Sequence, residues 1–64
     1  MKLIKLKDVI DMTSLSKATV YRQVNNGTFP SPIRLGPRAV AWVMDEIEDW
    51  IENKMNARRD RIKL

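Results

Sequence analysis

The residues best suited to chemistry in this chain lie between positions 16 and 26, where the sequence has the periodicity of a helix. At about 100° per residue, Ala18, Thr19 and Arg22 fall on one side of that helix. Arg22 could bind guanine through two hydrogen bonds, Gln23 or Asn25 could pair with adenine, and the Ala18 methyl group could contact a thymine methyl group. A helix N-terminus and hydroxyl groups can also hold phosphates. The hydroxyl-bearing candidates are Ser16, Thr19 and Tyr21.

The same helix face also fits an ordinary solvated surface, because alanine, threonine, arginine and asparagine are all common there. On the opposite side, Val20 and Val24 are expected to pack on the preceding helix and to belong to the core. The Tyr21 ring is expected to be partly buried rather than to act only as a phosphate ligand. The helix pattern alone therefore leaves nucleic-acid binding and simple solvation both open.

A second basic group follows the helix, because Arg34 and Arg38 bracket a turn predicted at Gly36-Pro37. Arginines at the tip of a β-hairpin could follow a phosphate backbone or enter a minor groove. The alternative is that they are solvated charges on a strand edge, where they discourage pairing with other chains. We favour the binding role, and somewhat more strongly for Arg38 than for Arg34.

The composition argues against an enzyme. The chain has neither cysteine nor histidine, so it lacks the usual metal ligands and the usual general base near neutral pH. Five acidic residues lie between positions 45 and 52, but on an exposed helix their oxygens do not converge around an ion. We therefore expect a solvated acidic face, no cofactor, no metal and no catalytic residue.

The elements that position the candidate residues can be inferred from their flanks. A first helix is predicted at about 7–13, with Val9, Ile10 and Met12 facing inward. The second, at about 17–26, has Ser16 as its N-cap and ends at Gly27. Two short helices joined by so few residues, with Leu15 in the connection, indicate a helix-turn-helix.

The rest of the chain predicts a wing and a third helix. Two short strands, Ile33–Leu35 and Ala39–Val43, would form a β-hairpin, and a helix would begin near Asp45 as its N-cap. The indoles of Trp42 and Trp50 are expected to pack the wing against this helix. The apolar face of the helix would consist of Ile47, Trp50, Ile51 and Met55. The predicted fold is mainly α with a small two-stranded β-wing, a winged helix-turn-helix.

The chain is predicted to form one domain at 1–57, followed by a basic tail at 58–64. Residues 1–43 carry a net charge of +5, residues 44–57 carry −4, and residues 58–64 carry +3. This distribution suits a protein that turns one face toward a polyanion, although a solvated basic surface would look similar. Because neither a leader pattern nor an apolar stretch of roughly 18 residues is present, a cytoplasmic protein is expected.

Four segments together resemble the AlpA family of prophage transcriptional regulators, which are similar to small excisionases and to the DNA-binding part of MerR proteins. They are Ser-Lys-Ala-Thr-Val-Tyr-Arg at 16–22, Gly27-x-Phe29-Pro30, Arg-Ala-Val-Ala-Trp at 38–42, and Glu48-x-Trp50-Ile51. The resemblance implies a recognition helix in the major groove that uses Ser16, Lys17, Thr19, Tyr21 and Arg22, and a basic wing residue at Arg38. The family usually has glycine where this chain has Ser14, so a left-handed backbone is implied at a serine.

The sequence thus predicts a small regulator that binds double-stranded DNA specifically, together with RNA polymerase or a phage integrase and as several copies on DNA. One alternative is an excisionase-like recombination directionality factor that uses the same module. An alternative from another class is a protein-interaction module that binds no DNA and docks a partner on the acidic helix, near Met55 and Ile62.

Overall fold

The computed structural model describes the backbone of residues 1–61 and the side chains of residues 1–58, and it confirms a mainly helical domain with a small wing. The elements in chain order are β1 (Leu3–Ile4), α1 (Leu6–Thr13), α2 (Lys17–Asn26), β2 (Ile33–Gly36), β3 (Ala39–Val43) and α3 (Met44–Arg61). The last part of the predicted basic tail, residues 62–64 with Ile62, lies outside the described residues. No helix in the described part is long and apolar enough to cross a membrane.

The sheet has three antiparallel strands in the order β1-β3-β2, whereas the sequence predicted two. The additional strand is β1, in which Leu3 pairs with Val43 and Ile4 with Trp42. The Met44 N–H also donates to the Lys2 carbonyl oxygen over 2.8 Å. Two residues are too few to show an alternating pattern, so only their partners nearly forty positions away reveal them as a strand.

The turn of the wing lies one residue later than predicted. Gly36 is the last residue of β2, and Pro37 and Arg38 form the turn. The register explains the shift, because Arg34 pairs with Val40 while Gly36 pairs with Ala39. Leu35 is therefore the extra residue of a β-bulge, which a period-two pattern does not predict.

The core is centred on Trp42, which is fully buried together with Val9, Val20 and Ile47. The Trp42 indole N–H donates to the Pro30 carbonyl oxygen over 2.9 Å, so the burial of this polar group leaves it satisfied. Trp42 thereby ties β3 to the loop before the wing, and it shares the buried cluster with Val9 of α1, Val20 of α2 and Ile47 of α3. Ile4 and Phe29 complete the buried cluster.

The third helix begins at Met44, so the prediction that Asp45 is its N-cap is wrong. Asp45 instead lies in the first turn, where its carboxylate faces the positive end of the helix dipole. The Trp50 indole N–H donates to the Thr28 carbonyl oxygen over 2.8 Å. The apolar contact ends soon after, since Met55 is 45% exposed. Met12, expected to face inward from α1, is 36% exposed, because it lies at the open edge of a groove that it lines with Ile51 and Met55 of α3.

The turn between α1 and α2 has the left-handed residue that the resemblance implied. Ser14 has φ of 61°, and its N–H donates to the Ile10 carbonyl oxygen over 2.8 Å to end α1. Leu15 follows, partly buried against the core, and Ser16 then begins α2. A serine pays a steric penalty in this conformation that a glycine does not.

Replacing Ser14 by glycine should therefore raise the free energy of unfolding by about 0.5–1 kcal/mol, because relief of the left-handed strain exceeds the added entropy of the unfolded chain. Urea denaturation measures the change. Ser14→Ala is the control: it removes the same hydroxyl but keeps a Cβ, so it should give no stabilisation. Equal stabilities of the glycine and alanine variants would show that backbone strain is not what limits this turn.

Candidate nucleic-acid interface

The N-terminus of α2 carries a chain of hydrogen bonds on its exposed side. The Ser16 oxygen accepts from the Thr19 backbone N–H at 3.2 Å, which caps the helix as predicted. The Ser16 hydroxyl donates to the Thr19 hydroxyl oxygen at 2.9 Å, and the Arg22 guanidinium donates to the same oxygen at 3.5 Å. Thr19 therefore links the N-cap of α2 to Arg22.

The helix presents this network outward because its opposite side is anchored. Val20 has no exposed surface, and Val24 packs on the buried cluster. The side chains of Ser16, Lys17, Ala18 and Arg22 are exposed, and Thr19 is partly exposed. The structure therefore places the predicted outward face of α2, including Ala18, in solvent.

Two of the candidate residues on α2 are partly buried and contact other residues of the domain. The Tyr21 ring is partly buried and meets the Trp42 ring edge-on, with centroids 6.1 Å apart. Gln23 is also partly buried, and the Thr28 hydroxyl lies 3.4 Å from its amide oxygen, at the far end of the helix. The anchoring role expected for Tyr21 is thus confirmed, and Gln23 lies apart from the Ser16–Arg22 network.

The wing holds two further exposed arginines. The Arg34 guanidinium donates to the Pro37 carbonyl oxygen over 3.4 Å, which draws it over the turn, and Arg38 is a turn residue itself. Residues 12–44 contain no aspartate or glutamate, so α2 and the wing carry only positive charge. The acidic residues lie on α1 and α3 instead. A polyanion would meet no repulsive side chain on α2 or the wing.

The sequence reasoning proposed Ser16, Thr19 and Arg22 one by one and missed that they form a connected network. Their spacing carried the signal, because residues three apart on a helix are neighbours. A hydroxyl at positions 16 and 19 followed by arginine at 22 places each donor beside the next acceptor. The exposed Arg22 guanidinium lies at the 3.5 Å limit of hydrogen-bond distance from Thr19, so this contact orients it without fixing it.

Comparison with known proteins decides the family. The family model described as "Prophage CP4-57 regulatory protein (AlpA)" matches residues 2–55, which include α1, α2 and the whole wing. The chain belongs to the AlpA family. The resemblance inferred from residues 16–22 and 38–42 is thereby confirmed.

Two relatives show how far the similarity extends. The DNA-binding transcriptional activator AlpA of Escherichia coli K12 is 30% identical over 59 residues, which cover 83% of this chain and 84% of that protein. The uncharacterized protein ORF88 of Enterobacteria phage P4 is 28% identical over 58 residues, or 91% of this chain. The chain spans 66% of the length of the phage protein.

The N-cap of α2 can be tested in this AlpA-family domain without any ligand. Ser16→Ala removes the oxygen that accepts from the Thr19 N–H, so it should lower the free energy of unfolding by about 1 kcal/mol. Ser16→Asp retains an N-cap acceptor and should keep most of the stability. Thermal or urea unfolding monitored by circular dichroism measures both. If alanine proved as stable as serine, the network would have no structural role.

Proposed function

We propose that this chain is a transcriptional regulator of prophage type that binds double-stranded DNA specifically through α2. The observation that carries the proposal is the exposed Ser16–Thr19–Arg22 network, held outward by the buried Val20. The description of the Escherichia coli relative as a DNA-binding transcriptional activator supports it.

In this proposal α2 enters the major groove with its N-terminal half foremost. Arg22 contacts guanine through two hydrogen bonds, while Ala18 lets the helix backbone approach the base edges. Phosphates are held by the free N–H groups at the helix N-terminus and by three side chains near it. Those side chains are Lys17, Thr19 and the hydroxyl end of Tyr21. Gln23 would reach an adenine only after leaving Thr28.

The wing adds contacts that do not depend on sequence. Arg34 and Arg38 would lie along phosphates or in the adjacent minor groove, which attracts guanidinium groups. A single module of this size buries only about 600–1,000 Å² on DNA, so several copies on neighbouring sites would be needed for tight binding. Bound copies would then recruit or block RNA polymerase, in the cytoplasm where prophage DNA lies. An excisionase-like factor acting beside an integrase would use the same interface.

Replacing Arg22 by alanine should weaken binding to the specific site by about 1–3 kcal/mol and relax the preference at one base pair. Arg38→Ala should instead weaken specific and random duplexes alike and reduce the slope of log affinity against log salt by about one. Lys54→Ala, which removes one positive charge from the acidic part of α3, is the control and should change the affinity little. Fluorescence anisotropy with a duplex selected from a random pool measures all three variants.

The salt dependence of DNA affinity, measured with the natural protein, distinguishes DNA binding from the docking of a protein partner. With roughly four to six phosphate contacts, the log–log slope should be about −4 to −5. A module that docks only a protein partner would bind no duplex even at low salt. An unchanged ratio of specific to random affinity in the Arg22 variant would refute the assignment of the reading face.

A further inference from the structure

We propose that the wing inserts Leu35 into the minor groove of the bound duplex as an apolar wedge and thereby bends the DNA. The proposal rests on the proposed DNA-binding function and adds to it a deformation of the duplex. It concerns the wing tip, defined as residues 35–38, whereas the sequence analysis assigned only arginine contacts to the wing.

Leu35 lies on the surface of the wing, outside the core. It is 57% exposed, and among the large apolar side chains that the structure describes only Met1 is more exposed. It is also the extra residue between the Arg34–Val40 and Gly36–Ala39 pairs. A bulge re-aims the side chain that it carries, and bulges are common beside functional sites. Isolated exposed leucines are ordinary on protein surfaces, so the groups around Leu35 decide what it can bind.

The surroundings of Leu35 select a ligand that is both anionic and apolar. The Arg34 guanidinium is held over the turn by the Pro37 carbonyl oxygen, 3.4 Å away, and Arg38 lies in the same turn. Pro37 adds a second exposed apolar group to the same wing tip. The minor groove offers this combination, because two rows of phosphates flank a base-pair step with apolar faces. Leucine and proline are among the residues that wedge into such steps.

The size of the hairpin fits this groove at its tip. Two strands about 4.8 Å apart, with their side chains, are wider than the minor groove of B-DNA, which is about 6 Å wide, so the hairpin cannot enter whole but one side chain projecting from its tip can. A wedge unstacks a base step, and pyrimidine–purine steps such as TA unstack most easily. The structure therefore points to a site with a flexible step opposite the wing.

The test measures the bend of a short duplex, selected from a random pool by the natural protein and labelled at its two ends for energy transfer. With all proteins at saturation, the natural protein should bend the duplex by about 20–90°. Leu35→Ala should lose at least half of that bend, and Leu35→Met should keep most of it. Ile33→Ala is the matched control, because Ile33 is 41% exposed on the same strand but pairs regularly with Ala41. It should leave the bend unchanged.

A second readout uses the sequence of the DNA. Replacing the flexible step opposite the wing by a stiff A-tract should weaken binding of the natural protein several-fold. For Leu35→Ala, the ratio of the affinities for the flexible and the stiff duplex should fall toward one. The salt slope should stay the same, since no phosphate contact is removed. The wedge would be refuted, with DNA binding intact, if the natural protein left the duplex straight or if Leu35→Ala bent it as much as the natural protein does. The second result would indicate that Leu35 contacts a protein partner instead. Failure of the natural protein to bind any duplex would instead refute the proposed function itself.

Discussion

The structure depends on the burial of Trp42, because this one side chain joins elements that are too short to be stable alone. It sits on β3 with no exposed surface, meets the edge of Tyr21 on α2, and donates its indole proton to the Pro30 carbonyl oxygen. A chain of 64 residues without cysteine has few other means of fixing a helix of ten residues. The position of α2 relative to the sheet follows from these contacts.

Fixing α2 on one side determines what the other side can do. With Val20 buried, the residues opposite it face solvent, and the chain places there a network of hydroxyl and guanidinium groups rather than scattered charges. The acidic residues are kept to α1 and α3. Anchoring and exposure of α2 are thus two consequences of the same packing, whereas the positive charge of α2 and the wing follows from the lack of acidic residues at 12–44.

Local signals predicted the helix-turn-helix well, because each is read within a few residues. Ser16 and Gly27 delimited α2, and Ser14 adopts the left-handed backbone that its place in the motif implied. Features set by distant partners were missed or misplaced: β1 exists only through pairing with β3, and the bulge at Leu35 appears only in the register of the hairpin. The roles of the candidate DNA-binding residues stay predictions, since neither the fold nor the family assigns contacts residue by residue.

The central claim is that the face of α2 opposite Val20, together with the wing tip, is the surface that meets DNA. Backbone amide shifts of ¹⁵N-labelled protein, followed by NMR during titration with a selected duplex, test it most directly. The account predicts the largest changes at Ser16–Arg22 and at Arg34–Arg38, with small changes along the acidic part of α3. Changes concentrated on α3, with α2 unaffected, would contradict it.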